Sequence, residues 1–86
     1  MDEELIPIAE LLTQLLDDTS IPRNVRMIIS GAKEKLEKQE FAVGISAAIY
    51  ALEEVSNDVN LPMHARTLIW NLLSELESIK ERKLST

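Results

Sequence analysis

Apolar residues recur along this chain at intervals of three and four, in four separate runs. In the first, about residues 4–17, Leu5, Ile8, Leu12, Leu15 and Leu16 share one stripe of a helix. The second, about 21–38, places Ile21, Val25, Ile28, Ile29, Ala32 and Leu36 on a stripe. The third, about 40–57, does so with Phe41, Ile45, Ala48, Ile49, Leu52 and Val55. The fourth, about 61–82, carries Leu61, Ala65, Leu68, Ile69, Leu72, Leu76 and Ile79. No segment alternates with a period of two, so the pattern predicts an all-α domain of four helices and no sheet.

The four runs are two copies of one unit. A shift of 40 residues aligns the halves without a gap: Leu12 falls on Leu52, Asp18 on Asp58, Pro22 on Pro62, Arg26 on Arg66, Ile29 on Ile69 and Leu36-Glu37 on Leu76-Glu77. The expected organisation is a single domain, 1–86, of two tandem helical hairpins, about 1–38 and 39–86. Within each half the spacing predicts a helix, a turn of three to five residues and a second helix. Ser20 and Asn60 are placed to be N-caps, with Pro22 and Pro62 following in the first turn, where a missing N–H costs nothing. Arg26 and Arg66 sit four residues past each proline. Equal spacing in both halves points to a structural pairing with Asp18 and Asp58 that ties the repeats together.

The third and fourth runs hold more apolar surface than a small bundle needs. From Phe41 to Leu52 only Ser46 is polar, and a helix apolar all round is expected to be buried all round. Val43 and Tyr50 point away from the core stripe, while Gly44, Ala47, Ala48 and Ala51 would let another helix come close. In the fourth run Trp70 lies about 140° from the centre of the stripe at 100° per residue. Met63 and Arg66 share that second face. Trp, Tyr, Met and Arg are the types enriched at protein interfaces, so Val43, Tyr50, Met63, Arg66 and Trp70 form a candidate interface. A chain of 86 residues has a thin core and gains from a partner subunit. A homo-oligomer, with a dimer favoured, is the expected partner arrangement.

Composition narrows the remaining classes. The chain has no cysteine, which excludes disulfides and thiolate–zinc sites. Its acidic start, Met1-Asp2-Glu3-Glu4, does not resemble a signal peptide, and the longest near-apolar run is too short to span a bilayer. No membrane association and a cytoplasmic location are expected. The net charge of −6 opposes a phosphate backbone. It is nevertheless uneven: residues 1–22 hold six acids and no base, whereas residues 23–38 hold five bases and two acids. One explanation sets an acidic first helix beside a basic second one. The alternative is an accessory nucleic-acid or ribonucleoprotein factor using Arg23, Arg26, Lys33, Lys35 and Lys38.

Catalytic signals are lacking. His64 is the only histidine, with no second ligand for a metal and no adjacent nucleophile to activate, and it reads as a surface or capping residue. The adjacent acids Asp17-Asp18 and Glu53-Glu54 face different directions on a helix. No Gly-rich phosphate loop exists, since the two glycines are Gly31 and Gly44. No catalytic, cofactor or metal site is expected, and the chain reads as an interaction or scaffold module.

Two resemblances follow from these residues. The stretch from Leu15 to Arg26, with its Asp, Pro, Val and Arg, resembles a HEAT-type repeat, which implies either a HEAT-like pair or a four-helix bundle. The stretch from Asp58 to Trp70 (Asp58-Val59-Asn60-Leu61-Pro62-Met63-His64-Ala65-Arg66-Thr67-Leu68-Ile69-Trp70) resembles the signature segment of a small archaeal family of uncharacterised proteins of about this length. That resemblance implies an archaeal origin and a helical bundle, and it transfers no activity.

Overall fold

The structure, a computed structural model, describes residues 1–84. A single 3-10 turn, Glu3–Leu5, leads into α1 (Ile6–Leu16); α2 (Arg23–Lys38), α3 (Phe41–Ser56) and α4 (Met63–Leu84) follow. Among the described residues there is no strand. Asp2 Oδ1 accepts the Glu4 N–H at 2.9 Å and starts the first turn. Pro7 lies in the first turn of α1, as its missing N–H demands.

The two long turns are built alike, but not as the capping pattern predicts. Ser20 and Asn60 are not the N-caps. Pro22 itself is the cap of α2, extended at φ −55°, ψ 145°, and its carbonyl accepts the Arg26 N–H at 3.0 Å. The Pro62 carbonyl accepts the Arg66 N–H at the same distance. The reason is steric: proline drives the residue before it out of the helical region. Ile21 and Leu61 therefore cannot open a helix. Ser20 and Asn60 instead close a turn around the preceding aspartate, their N–H groups donating to Asp18 Oδ1 at 2.9 Å and Asp58 Oδ1 at 2.8 Å. The link between α2 and α3 is just Gln39 and Glu40, and Glu40 caps α3 by accepting the Val43 N–H at 2.7 Å.

The repeat is present in the packing as well as in the letters. From Leu11 to Lys38 each residue has the same degree of burial as its counterpart 40 positions later. Leu12 and Leu52, Ile29 and Ile69, Leu36 and Leu76 are all buried, and one continuous core joins both hairpins. Buried apolar area of this kind stabilises at about 25 cal/mol per Å².

The hairpins close on each other as an up-down-up-down four-helix bundle. Successive helices are packed neighbours, and the molecule measures 39 × 20 × 18 Å, long with a nearly square section. The closely packed helix pairs are α1–α2, α2–α3 and α3–α4; α1–α3 and α2–α4, the pairs a HEAT array stacks, are not among them, and neither is α1–α4. α1 and α4 are joined at both ends, by Glu4–Arg82 and Asp18–His64. The tightest seam is α2–α3. A Cβ on Gly44 would lie 2.6 Å from the Lys35 carbonyl oxygen and 3.4 Å from Leu36 Cα, so only glycine admits this approach. Gly44, one of the small α3 residues expected to let another helix come close, thus meets α2 of the same chain.

Candidate functional site

The predicted interface residues divide into two groups. Val43 and Tyr50, seven positions apart, occupy one outward line of α3; Met63 and Trp70 occupy one outward line of α4. All four are exposed, Tyr50 at 75% and Trp70 at 53%. The core beneath is closed without them: Ile45, Leu52, Ile69 and Leu76 are fully buried. Leu73, beside Trp70 on the α4 surface, is half-buried against that core.

Arg66 belongs elsewhere. It is half-buried, and its guanidinium donates to the Asp58 carbonyl at 2.7 Å and the Leu61 carbonyl at 3.4 Å. Arg26 donates through Nε to the Ile21 carbonyl at 3.1 Å. The expected ion pairs of Arg26 with Asp18 and Arg66 with Asp58 are therefore replaced by bonds to main-chain oxygens. The turn that frees those carbonyls also directs each aspartate to the N–H two residues on. Each arginine stays within its own turn and does not join the repeats.

The residue that joins them at this end is His64, whose contact the sequence did not signal. Its Nε2 lies 2.7 Å from Asp18 Oδ2, across 46 residues of chain. Asp18 also accepts the Ser20 hydroxyl at 2.6 Å. The Ser20 hydroxyl, His64 and the Ser20 N–H together hold the Asp18 carboxyl down at about 2. At the other end Lys83 Nζ reaches Asp2 Oδ2 and Glu4 Oε2, both at 3.0 Å, and Arg82 reaches Glu4 Oε1 at 2.9 Å. Hydrogen bonding to Lys83 and Arg82 pulls the Glu4 carboxyl down; the Glu4 N–H, then Lys83, lower that of Asp2; and Asp2, then Glu4, raise the Lys83 ammonium.

These contacts correct the reading of the charge pattern. The acidic N-terminal turn meets the basic end of α4, not the basic residues of α2. On α2, Lys33 pairs with Glu37 at 3.0 Å and Lys38 approaches Glu34 at 3.9 Å. At 100° per residue Arg26 and Lys33 face the α1 side and Lys35 the α3 side, while Lys38 shares a shallow groove with Lys33, Glu34 and Glu37, so the bases do not form one basic face. Among the described residues, no three His, Asp or Glu side chains come together as a metal site, and no helix is long and apolar enough to cross a membrane.

The surface also carries an open groove between α2 and α3, of about 430 Å³, floored by Gly31, Ala32, Ala47 and Ala51 and flanked by Tyr50. Nothing lies within 4 Å of where a Gly31 Cβ would stand.

Comparison with known proteins agrees with this architecture. A UPF0147 protein of Archaeoglobus fulgidus is 48% identical over 84% of this chain and 84% of its own length. One from Methanothermobacter thermautotrophicus is 45% identical over 86% of this chain and 74% of its own. UPF0147 protein MJ1419 of Methanocaldococcus jannaschii is 43% identical over 92% and 87%. A solved structure described as the crystal structure of unknown function protein MMP1188 superposes with a TM-score of 0.84 at 41% identity, covering 91% of both chains. The profile of the Uncharacterised protein family (UPF0147) matches residues 1–79, and this four-helix chain belongs to that family.

Proposed function

We propose that the protein is a non-catalytic helical interaction module of the cytoplasm that assembles with itself, a dimer being the favoured form. The observation that supports this reading is the exposure of Val43, Tyr50, Met63 and Trp70 outside a core that is already closed. Aromatic side chains set on rigid helices supply large contact area for few rotatable bonds, and methionine adapts its shape to a partner. The bases of α2 form no single basic face and are partly paired, which gives the nucleic-acid alternative no comparable surface.

Light scattering at about 50 µM, a range in which micromolar association is populated, tests the reading. The expected result is a mass above that of one chain, reduced by Tyr50→Ser or Trp70→Ser without loss of helix content. A strict monomer whose Trp70 emission is fully quenched by a soluble quencher overturns it.

A further inference from the structure

The groove between α2 and α3 is bounded by opposite charges placed so that a second copy of the same groove would satisfy them. Gly44 abuts the Lys35 carbonyl, so Lys35 lies level with Gly44 on the antiparallel α3. Glu54 lies ten residues further along α3, about 15 Å away at 1.5 Å per residue. Both line the groove, and among the described residues neither makes an ion pair. They are too far apart to pair with each other. Midway between them stands Tyr50, the most exposed aromatic of the chain, over the low floor of Gly31, Ala47 and Ala51.

We infer that this groove is a two-fold self-association surface whose occupant is the same groove of a second copy, crossed nearly antiparallel. A two-fold axis lying across the groove at mid-height exchanges the level of Lys35 with that of Glu54. Lys35 of each copy then faces Glu54 of the other, giving two equivalent ion pairs, as a closed isologous interface requires. The two Tyr50 rings meet near the axis, where the small floor residues let the helices approach. The inference rests on the proposed self-assembling function and names the face that performs it. A parallel arrangement would set the two Lys35 side chains at one level, so the charges select the antiparallel one.

Sedimentation equilibrium on the native chain, Lys35→Glu, Glu54→Lys and an equimolar mixture of the two variants tests it, with thermal melting to show that each remains folded. Each reversal alone creates two like-charge contacts per dimer and is expected to weaken association more than about tenfold. The mixture is expected to recover native affinity as a one-to-one heterodimer, because each copy then carries the charge the other lacks. Gly31→Phe, entering open space in the monomer, should leave melting intact and abolish the dimer. A native dimer indifferent to both reversals but lost on Trp70→Ser overturns this interface and leaves the broader reading standing. A native chain that is monomeric throughout overturns both.

Discussion

The bundle has two seams that its internal repeat makes equivalent, α2–α3 and α4–α1, and they are held in different ways. In the first, Gly44 lets α3 press against the main chain of Lys35 and Leu36, and the facing positions are small. In the second, Glu4 stands where Gly44 stands, and Pro7, Ile8 and Leu11 replace Ala47, Ala48 and Ala51. These larger side chains keep α1 and α4 further apart, and polar side chains bridge them at the two ends. Two copies of one hairpin thus meet once through backbone proximity and once through charge. A doubled unit does not need doubled interfaces; a few substitutions decide which seam closes through backbone contact and which is bridged by charged side chains.

The largest test of that contrast is a matched pair of core truncations. Leu12→Ala on α1 and Leu52→Ala on α3 remove equivalent, fully buried side chains, and each is expected to cost about 2–5 kcal/mol. Leu52→Ala should fall nearer the upper end, since the close α2–α3 seam cannot collapse into the cavity as the looser α1 side can. Urea denaturation of both variants measures the difference, and equal costs would remove the distinction between the seams. Next comes Gly44→Ala, whose Cβ must displace a helix backbone. Overpacking of about 1–3 kcal/mol should outweigh the roughly 1 kcal/mol helix gain from replacing glycine, and a higher melting temperature would contradict the tight seam.

Smaller effects fall on the charged seam. Arg82→Ala combined with Lys83→Ala should raise amide exchange several-fold at the Glu3–Leu5 turn and the start of α1, with little change in α2 or α3. The same segment responds to pH from both sides. Asp2 and Glu4 have lowered carboxyl values, so their contribution is present above the ordinary 3.8 and 4.5 and fades as acid protonates them. Lys83 is raised, so its contribution is complete below 10.5 and is lost as pH climbs beyond it. Protection of the turn amides, measured against the intrinsic exchange rate at each pH, should therefore fall in acid and in strong base while that of the α2–α3 amides is maintained. The smallest effect is expected from Asp18→Asn, which keeps the turn bond to Ser20 and loses the charge facing His64. Its signature is a stability profile that declines less steeply between about pH 4 and 2, the interval between the ordinary aspartate value of 3.8 and the native Asp18 value of about 2.

Periodicity and the repeat were enough to read four helices, both hairpins and nearly every core side chain, because burial on one face leaves a mark every three or four residues. They could not say which neighbour each face meets. That is why Gly44 suggests a foreign helix where α2 of the same chain stands, and why the acidic start suggests a pairing with α2 when it meets the end of α4. The turn bonds were hidden for another reason. Asp18 and Arg26 carry opposite charges at a suitable spacing, yet the carbonyls exposed by the Pro22 turn bind the arginine, and main-chain acceptors leave no trace in residue type. Val43, Tyr50, Met63 and Trp70 were legible as outward residues for the same reason the core was: each breaks the stripe.

The contact of Lys83 with Asp2 has one more consequence. It brings the two ends of the described chain within the span of a single side chain, while Gln39–Glu40 is a two-residue connection at that same pole of the bundle. A short peptide joining the ends, with the backbone opened between Gln39 and Glu40, would make the second hairpin the first to emerge from the ribosome. Each helix would keep its present neighbours, so which half is synthesised first is a property of the gene's punctuation and not of the folded bundle.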